Sequence, residues 1–394
     1  MGRLCIEFYW RQWFGFEREV VMALDFPSTP TEGQIYLPSG PGGPSYVYHA
    51  PVWELVAGLV GVSSISARAY DNIIVNGSFD VAREYGIGTI TGGRINGAAP
   101  WLLDEWYLSA VIATPGSSNF QGGNSVPAGT TPFGSAFPYV GAFQIIGAGN
   151  SFAGANDQVG ISHTIEGTRL APLNFGYSNA SSVTLSFWVL ASAAGTFSVT
   201  IGSQPNGGVY RAYTHNFTVN VANTWEYKTF TFPPPPIGAT DWTTDSGPGA
   251  YLYFMFAAGS AEKTQTPESW QPWNNECSPQ QSNFFATNGN VVQITGVCLL
   301  PGSVAPTAEE SQLMRRPFGE EQTLCQRHYQ RYTMVIHGPS DWKMHTHITS
   351  LRASPTVSAV PAMSGLVVQW PGMDSWGCYA SVQSSGEMVF NARI

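Results

Sequence analysis

Apolar and polar residues alternate along much of this chain. Val183, Leu185, Phe187 and Val189 alternate with Thr184, Ser186 and Trp188, and Phe197, Val199 and Ile201 alternate with Thr196, Ser198 and Thr200. A period of two places each set on one face of a β-strand, so both runs predict half-buried strands. Tyr251–Phe256 is apolar at every position, which predicts a central strand covered on both sides, and Val291–Val297 closes the set. Turn signals such as Asn206-Gly-Gly208 and Pro233–Pro236 separate the runs, with no amphipathic helix between them. Parallel βαβ connections are therefore disfavoured, and two packed antiparallel sheets remain. The predicted fold class is all-β, with an antiparallel jelly-roll β-sandwich over residues 71–306.

The flanks read differently. Residues 22–58 hold short aromatic strands (Gln34–Tyr36, Tyr46–Tyr48 and Val52–Leu55) around a Pro38–Pro44 turn, a small N-terminal β module. Residues 59–70 are small and apolar, a linker or short helix. Residues 1–21 belong to a stretch, Leu4–Leu24, that reads either as an amphipathic helix docking on a partner or as sequence ahead of a start at Met22. Residues 307–332 form a helical connector: Leu324, His328 and Tyr332 recur at i, i+4 and i+8 within a helix over Glu320–Tyr332. Strands resume at Lys343–Ser350, Gly365–Trp370, Cys378–Gln383 and Glu387–Ile394, a C-terminal β tip over 333–394. Met388, Phe390, Ala392 and Ile394 alternate in the last of these, tying it into a sheet.

Composition narrows the function classes. Only 11% of residues are charged, against about 25% in an average soluble protein. The 13 Trp, 17 Tyr and 22 Phe supply a core that the 43 Gly and 28 Pro punctuate with turns, so the chain folds. The net charge is −9, with no basic cluster beyond Arg315-Arg316, so nucleic acid is not a partner. No run reaches the ~20 apolar residues of a membrane span. Cys5, Cys277, Cys298, Cys325 and Cys378 are odd in number and lack CxxC spacing, which fits reduced, buried thiols.

No nucleotide-binding, zinc-protease or serine-hydrolase fingerprint is present, and the expectation is a protein that is not an enzyme. Asp104-Glu105 and Asp80 with Glu84 are the carboxylates a glycosidase pair would draw on, but solvated loops are the simpler account. Aromatic faces stack on sugars, and Trp270 and Trp273 lie in a polar loop with Trp242 and Tyr251 as neighbours. Ring packing at the end of the sandwich is the simpler account there too. His345-Thr-His347 has ligand spacing, since i and i+2 share a strand face. On a threefold axis three such pairs would surround one octahedral transition metal such as Fe(II) or Ni(II). Surface histidines explain the pair more simply, and no other cofactor is expected.

Several stretches together resemble the tail-fibre and receptor-binding virion proteins of tailed bacteriophages. Met22–Tyr36, with Tyr48 and Trp53, resembles their short N-terminal module. Asn72–Phe79 and Asp104–Tyr107 resemble the opening of their jelly roll. His163–Gly167, Leu173–Gly176, Val183–Val189, Asn223–Glu226, Ala286–Asn288 and Ile294–Val297 follow in order. Arg315–Glu321 with Leu324–Tyr329 is the strongest piece, and Leu351–Val357 resembles the start of the C-terminal tip. The likeness covers about residues 22–357. Cys298-Leu-Leu-Pro301 and Pro306–Leu313 depart from the pattern, and residues 1–21 have no counterpart.

The resemblance implies a structural protein of a phage virion, made in the bacterial cytoplasm and mounted as a tail or neck fibre or spike. It implies a homotrimer held to other virion proteins through its N-terminal region, with a host-surface glycan as receptor. Trimers cover sheet edges and multiply weak sugar sites into avidity. The alternatives are a tailspike enzyme that depolymerises polysaccharide and a purely structural head or collar decoration.

Overall fold

The computed structural model describes residues 154–336 with single-residue gaps at 274 and 288. It also describes 68–84, 343–347, 349–360, 366–369, 373–380 and 384–393, and shorter segments at 3–6, 22–25, 29–36, 45–57, 89–93, 101–111, 119–124, 137 and 141–146, with single-residue gaps at 33 and 51. The chain divides into two units, Met1–Tyr70 and Asp71–Ile394.

In the first unit β1 (Arg3–Ile6) pairs antiparallel with β2 (Met22–Asp25). β3 (Ile35–Tyr36), β4 (Ser45–His49) and β5 (Val52–Ala57) form a second, three-stranded sheet. The aromatic hairpin module expected over 22–58 is thus present as β3–β5. Both described ends of Leu4–Leu24 are extended, so a helix does not run through them. Leu4 pairs with Leu24 and Cys5 with Ala23 in a ladder that satisfies their backbone groups.

In the second unit thirteen strands make two sheets. Six of them, β15 (Glu226–Phe232), β12 (Val183–Ala191), β18 (Val291–Pro301), β10 (Gly141–Ile146), β9 (Asn119–Asn124) and β6 (Thr89–Gly93), lie side by side in that order. The other seven are β17 (Gln271–Pro272), β14 (Arg211–Val219), β13 (Gly195–Ser203), β16 (Pro248–Ala258), β11 (Gln158–Glu166), β8 (Trp106–Val111) and β7 (Trp101–Leu103). Every pairing is antiparallel, as the alternation requires. The core lies between the sheets, where Leu185, Phe187 and Val189 meet Val199, Ile201, Leu252, Phe254 and Phe256. At about 25 cal/mol per Å² of apolar surface, these rings and branched chains dominate the folding energy. β16 is covered on both faces, as its uniform apolarity predicts: Leu252 and Phe254 face the core, while Tyr253 and Met255 pack with Cys277 outside it.

The connector departs from expectation. Helix forms over Phe318–Gln326 only, and β19 (Tyr329–Ile336) follows at once. Leu324, His328 and Tyr332 are therefore not one helical stripe. Tyr-Gln-Arg-Tyr-Thr-Met-Val-Ile is rich in aromatic and β-branched residues, and it pairs residue for residue with β24 (Ser384–Asn391). β19, β24 and β21 (Thr356–Val360) form one small sheet, and β20 (Lys343–Thr346), β23 (Ser375–Ala380) and β22 (Leu366–Gln369) another. Met388, Phe390 and Ala392 are buried beneath them, as their alternation predicts. Residues 333–394 belong to the same compact unit as the sandwich. Cys277, Cys298, Cys325 and Cys378 are buried. Among the described residues no helix is long and apolar enough to cross a membrane.

Candidate functional site

The outer face of the seven-stranded sheet carries an aromatic surface. Alternation along β16 sends Tyr251, Tyr253 and Met255 outward, opposite to Leu252 and Phe254. Register then sets Gly202 and Thr200 of β13 on one side of the two tyrosines and Thr164 and Ser162 of β11 on the other. Tyr107 of β8 follows beyond Ser162. Trp273, just past β17, lies flat over this floor: a Cβ added at Gly202 would meet its ring at 2.9–3.0 Å. Around it stand Tyr251 at 5.8 Å, Tyr253 at 5.5 Å and Tyr210 at 6.0 Å between ring centroids. Tyr210 is 47% exposed and Trp273 and Tyr251 are half-buried, so the platform meets solvent.

Polar groups line the same face. Ser162 Oγ, Thr164 Oγ1 and Gln158 Oε1, all on one side of β11, have no protein hydrogen-bond partner, although Ser162 and Thr164 are buried. Such orphaned hydroxyls cost free energy unless something else satisfies them. Tyr107 and Tyr253 flank Ser162 and share a hydrogen bond, while Tyr251 Oη lies 3.4 Å from Gln204 Oε1. Burial pushes the Tyr251 hydroxyl up to about 12 and Tyr253 higher still, so both remain neutral donors. Glu276 accepts from the side chains of Gln158 and Trp273; burial raises its pKa and the nearby Glu262 adds to the rise.

The four aromatic residues expected to contact sugar divide. Trp273 and Tyr251 come together on this face. Trp270 and Trp242 do not: three residues of separation across β17 send Trp270 to the opposite side, where its indole N–H donates to Pro233 O at 2.9 Å. It packs edge-on to Trp242, which is 2% exposed and meets Phe175 in the core. Tyr107, Tyr210, Tyr253 and Glu276 were not foreseen. The Tyr-Leu-Tyr alternation in β16 was the signal for Tyr253; the others depend on cross-strand register.

A second cluster lies where the sandwich meets the connector and the C-terminal sheets. Asp80, Asp104 and Glu105, expected in solvated loops, are buried there. Arg83 binds Asp104 at 2.8 Å, Arg315 binds Asp80 at 2.8 Å, and Arg393 pairs with Glu84 and lies 3.7 Å from Asp104. Arg316 joins Glu321 at 3.1 Å and donates to Ile74 O, while Glu321 accepts the Asn76 backbone N–H. Asn76 sits at φ 56° and its amide spans Val81 O and Asp104 O at 2.8 Å each. Arg327 binds Glu166 at 3.0 Å beside a cavity of about 170 Å³ that Arg169 and His328 also line. Burial drives Glu105 up to about 8 and His163 down to about 3. Every carboxylate of this cluster but Glu105 is committed to guanidinium or backbone, which makes it a structural seam.

The histidine pair is placed unevenly. His345 lies in β20 opposite Trp376, and its side chain falls outside the described residues. His347 follows the strand, is 8% exposed, and turns inward: Nδ1 is 3.2 Å from Tyr332 Oη and the ring meets Phe390 edge-on at 4.9 Å. It is thus a core histidine and not a surface one. Among the described residues no group of three or more His, Cys, Asp or Glu is placed to hold a metal.

No family model matches the chain, and no curated protein matches it. Among solved structures it is similar to the enzymatically active domain of bacteriophage CBA120 tailspike protein 4, at 15% identity and a TM-score of 0.31. That match covers 62% of this chain and 24% of the tailspike chain. A family 4 carbohydrate-binding module matches at 16% identity, covering 57% of this chain and 97% of the module, with a TM-score of 0.27. A family 11 module from Clostridium thermocellum, in complex with a β-1,3-1,4-mixed-linked tetrasaccharide, matches at 12% identity, 56% and 99% coverage, and a TM-score of 0.26. Identities and TM-scores this low leave the chemistry to be read from the chain itself.

Proposed function

We propose that this chain is a non-enzymatic, glycan-binding structural protein of a bacteriophage virion. The observation that carries the binding function is the outward cluster of Trp273, Tyr251, Tyr253 and Tyr210 above the unpartnered hydroxyls of Ser162 and Thr164. Ring faces take the C–H surface of a pyranose, and polar groups at the exposed rim of the platform take its O–H groups. The virion setting rests on the collinear resemblance from Met22 to Val357. In that setting the first unit attaches to other virion proteins, the chain assembles as a homotrimer, and the sugar face meets the host surface. Binding of soluble glycans, lost on Trp273→Ala with the fold intact, tests the reading. Unchanged binding would overturn it.

Hydrolysis of the bound glycan is a second reading, favoured by one observation. Glu276 holds Trp273, Glu262 acts electrostatically on Glu276, and burial raises both carboxyls. Release of reducing ends from a bound polysaccharide would establish it; binding without release supports the first reading.

A further inference from the structure

Glu276 is the group on the aromatic face whose chemistry the stacking platform does not account for. Its backbone carbonyl accepts from Thr200 Oγ1 at 2.8 Å, which fixes the segment to the floor of the sheet. Its carboxylate accepts from the side chains of Gln158 and Trp273. Gly202 lies directly beneath the Trp273 ring, so the indole is held from below by the sheet and at its side by Glu276. The Glu276 carboxylate also accepts from its own backbone N–H; a carboxylate has room for about four hydrogen bonds, so these three leave it room for about one more.

The charges around it are one-sided. Glu262 is the charged side chain that acts on it most, and it is another carboxylate. Lys263, in the same segment, gives its ammonium to Gln281 O at 2.6 Å. Arg211, at the end of β14, is bound to Asp241 at 2.9 Å. The remaining described groups on the face are uncharged: Tyr107, Tyr251, Tyr253, Ser162, Thr164, Gln158 and Gln204.

We propose that Glu276 is the specificity-determining residue of this face, fixing Trp273 as the stacking platform and excluding acidic sugars, so that the glycan bound is a neutral one. This rests on the glycan-binding reading above. A hydroxyl approaching the remaining lone pair of Glu276 donates to it, whereas a uronate or sulfate brings a second negative charge to a place where the described cations, Lys263 and Arg211, are already held by Gln281 O and Asp241.

The test uses the full chain on an array of neutral and uronate-bearing oligosaccharides of matched length, at low and high salt. Wild-type protein should favour the neutral class by about ten-fold at low salt, the cost of like charges near a surface, and the gap should shrink as salt screens it. E276Q, which keeps an acceptor for Trp273, should close the gap by gaining acidic ligands while neutral binding holds. E276A should weaken neutral binding and shift tryptophan emission, because the indole loses its tether. A preference for uronates in the wild type, or a ratio unmoved by both E276Q and salt, overturns the assignment. Binding to neither class overturns the glycan-binding reading itself. Should E276Q fail to fold, the salt dependence of the wild-type ratio still decides.

Discussion

His328 Nδ1 stands 3.3 Å from Glu105 Oε2, joining the end of the connector helix to the β7–β8 turn with both side chains buried. Glu105 holds its proton in the folded protein up to about pH 8, whereas its ordinary value is 4.5. Between those values the folded state binds the extra proton, so stability falls as pH rises and levels off above about 8. His163 acts in the opposite sense. Burial takes it from 6.5 to about 3, so stability falls as pH drops across that window, and His328 shifts in the same direction. Each unmatched proton changes stability by about 1.4 kcal/mol per pH unit. Thermal melts across pH should peak near about pH 6.5. Glu105→Gln should remove the alkaline slope and leave the acid slope; an alkaline slope that persists would assign it elsewhere.

Breaking the Arg316–Glu321 pair should be costly. Both side chains are buried, and Arg316 also holds the carbonyls of Ile74 and Asn72. Glu321→Ala strands a guanidinium and the Asn76 N–H without an acceptor, for an expected loss of about 3–5 kcal/mol in urea denaturation. A loss under about 1 kcal/mol would mean water replaces the carboxylate.

Trp270 and Trp273 should separate cleanly on substitution. Trp273→Ala is expected to weaken glycan binding about ten-fold or more with little change in melting. Trp270→Ala removes a ring packed on Tyr213 and Trp242 and should cost about 2–4 kcal/mol of stability while affinity holds. Calorimetry and melting of both variants provide the check. Gly202→Ala should mimic Trp273→Ala, since its methyl group displaces the indole.

His347→Ala should destabilise the C-terminal sheets by about 1–3 kcal/mol, because it removes a buried ring packed edge-on against Phe390 together with its contact to the Tyr332 hydroxyl. An axial metal shared by three chains would require His347 to leave that packing. Elemental analysis of chelator-free protein together with this variant separates the two: destabilisation with no metal in the wild type makes His347 a core residue only.

Much of the sandwich was legible in the chain because a period of two survives wherever one strand face is buried. Val183–Val189 and Phe197–Ile201 fall inside β12 and β13 with their apolar sets in the core. The Glu320–Tyr332 helix was over-extended because Tyr329–Ile336 carries its strand signal in aromatic and β-branched content and not in alternation. At the aromatic face Trp273 and Tyr251 were found by residue type, but Trp270 and Trp242 were grouped with them because only the strand boundaries show that Trp270 and Trp273 stand at an odd spacing across β17, on opposite sides. The residues that carry the virion resemblance, among them Asn72, Asn76, Asp104, Glu105, His163, Glu166, Arg315, Arg316, Glu321, Arg327 and Arg352, gather at the seam and not at the aromatic face. Resemblance here tracked the interior polar joint, while the surface proposed to take sugar is shaped by other residues.

The ion pair between Arg393 and Glu84 bridges residues 309 apart in sequence. During synthesis Glu84 and Asp104 leave the ribosome long before residue 393 is made, and β24, the middle strand of its sheet, is translated after both of its partners, β19 and β21. The jelly roll therefore assembles with acidic side chains still wet, and the joint can dry only when β24 arrives and the Arg393 guanidinium after it closes a very long loop. Messages cut short before the Arg393 codon should yield chains whose sandwich is formed but whose joint stays hydrated and open to proteases.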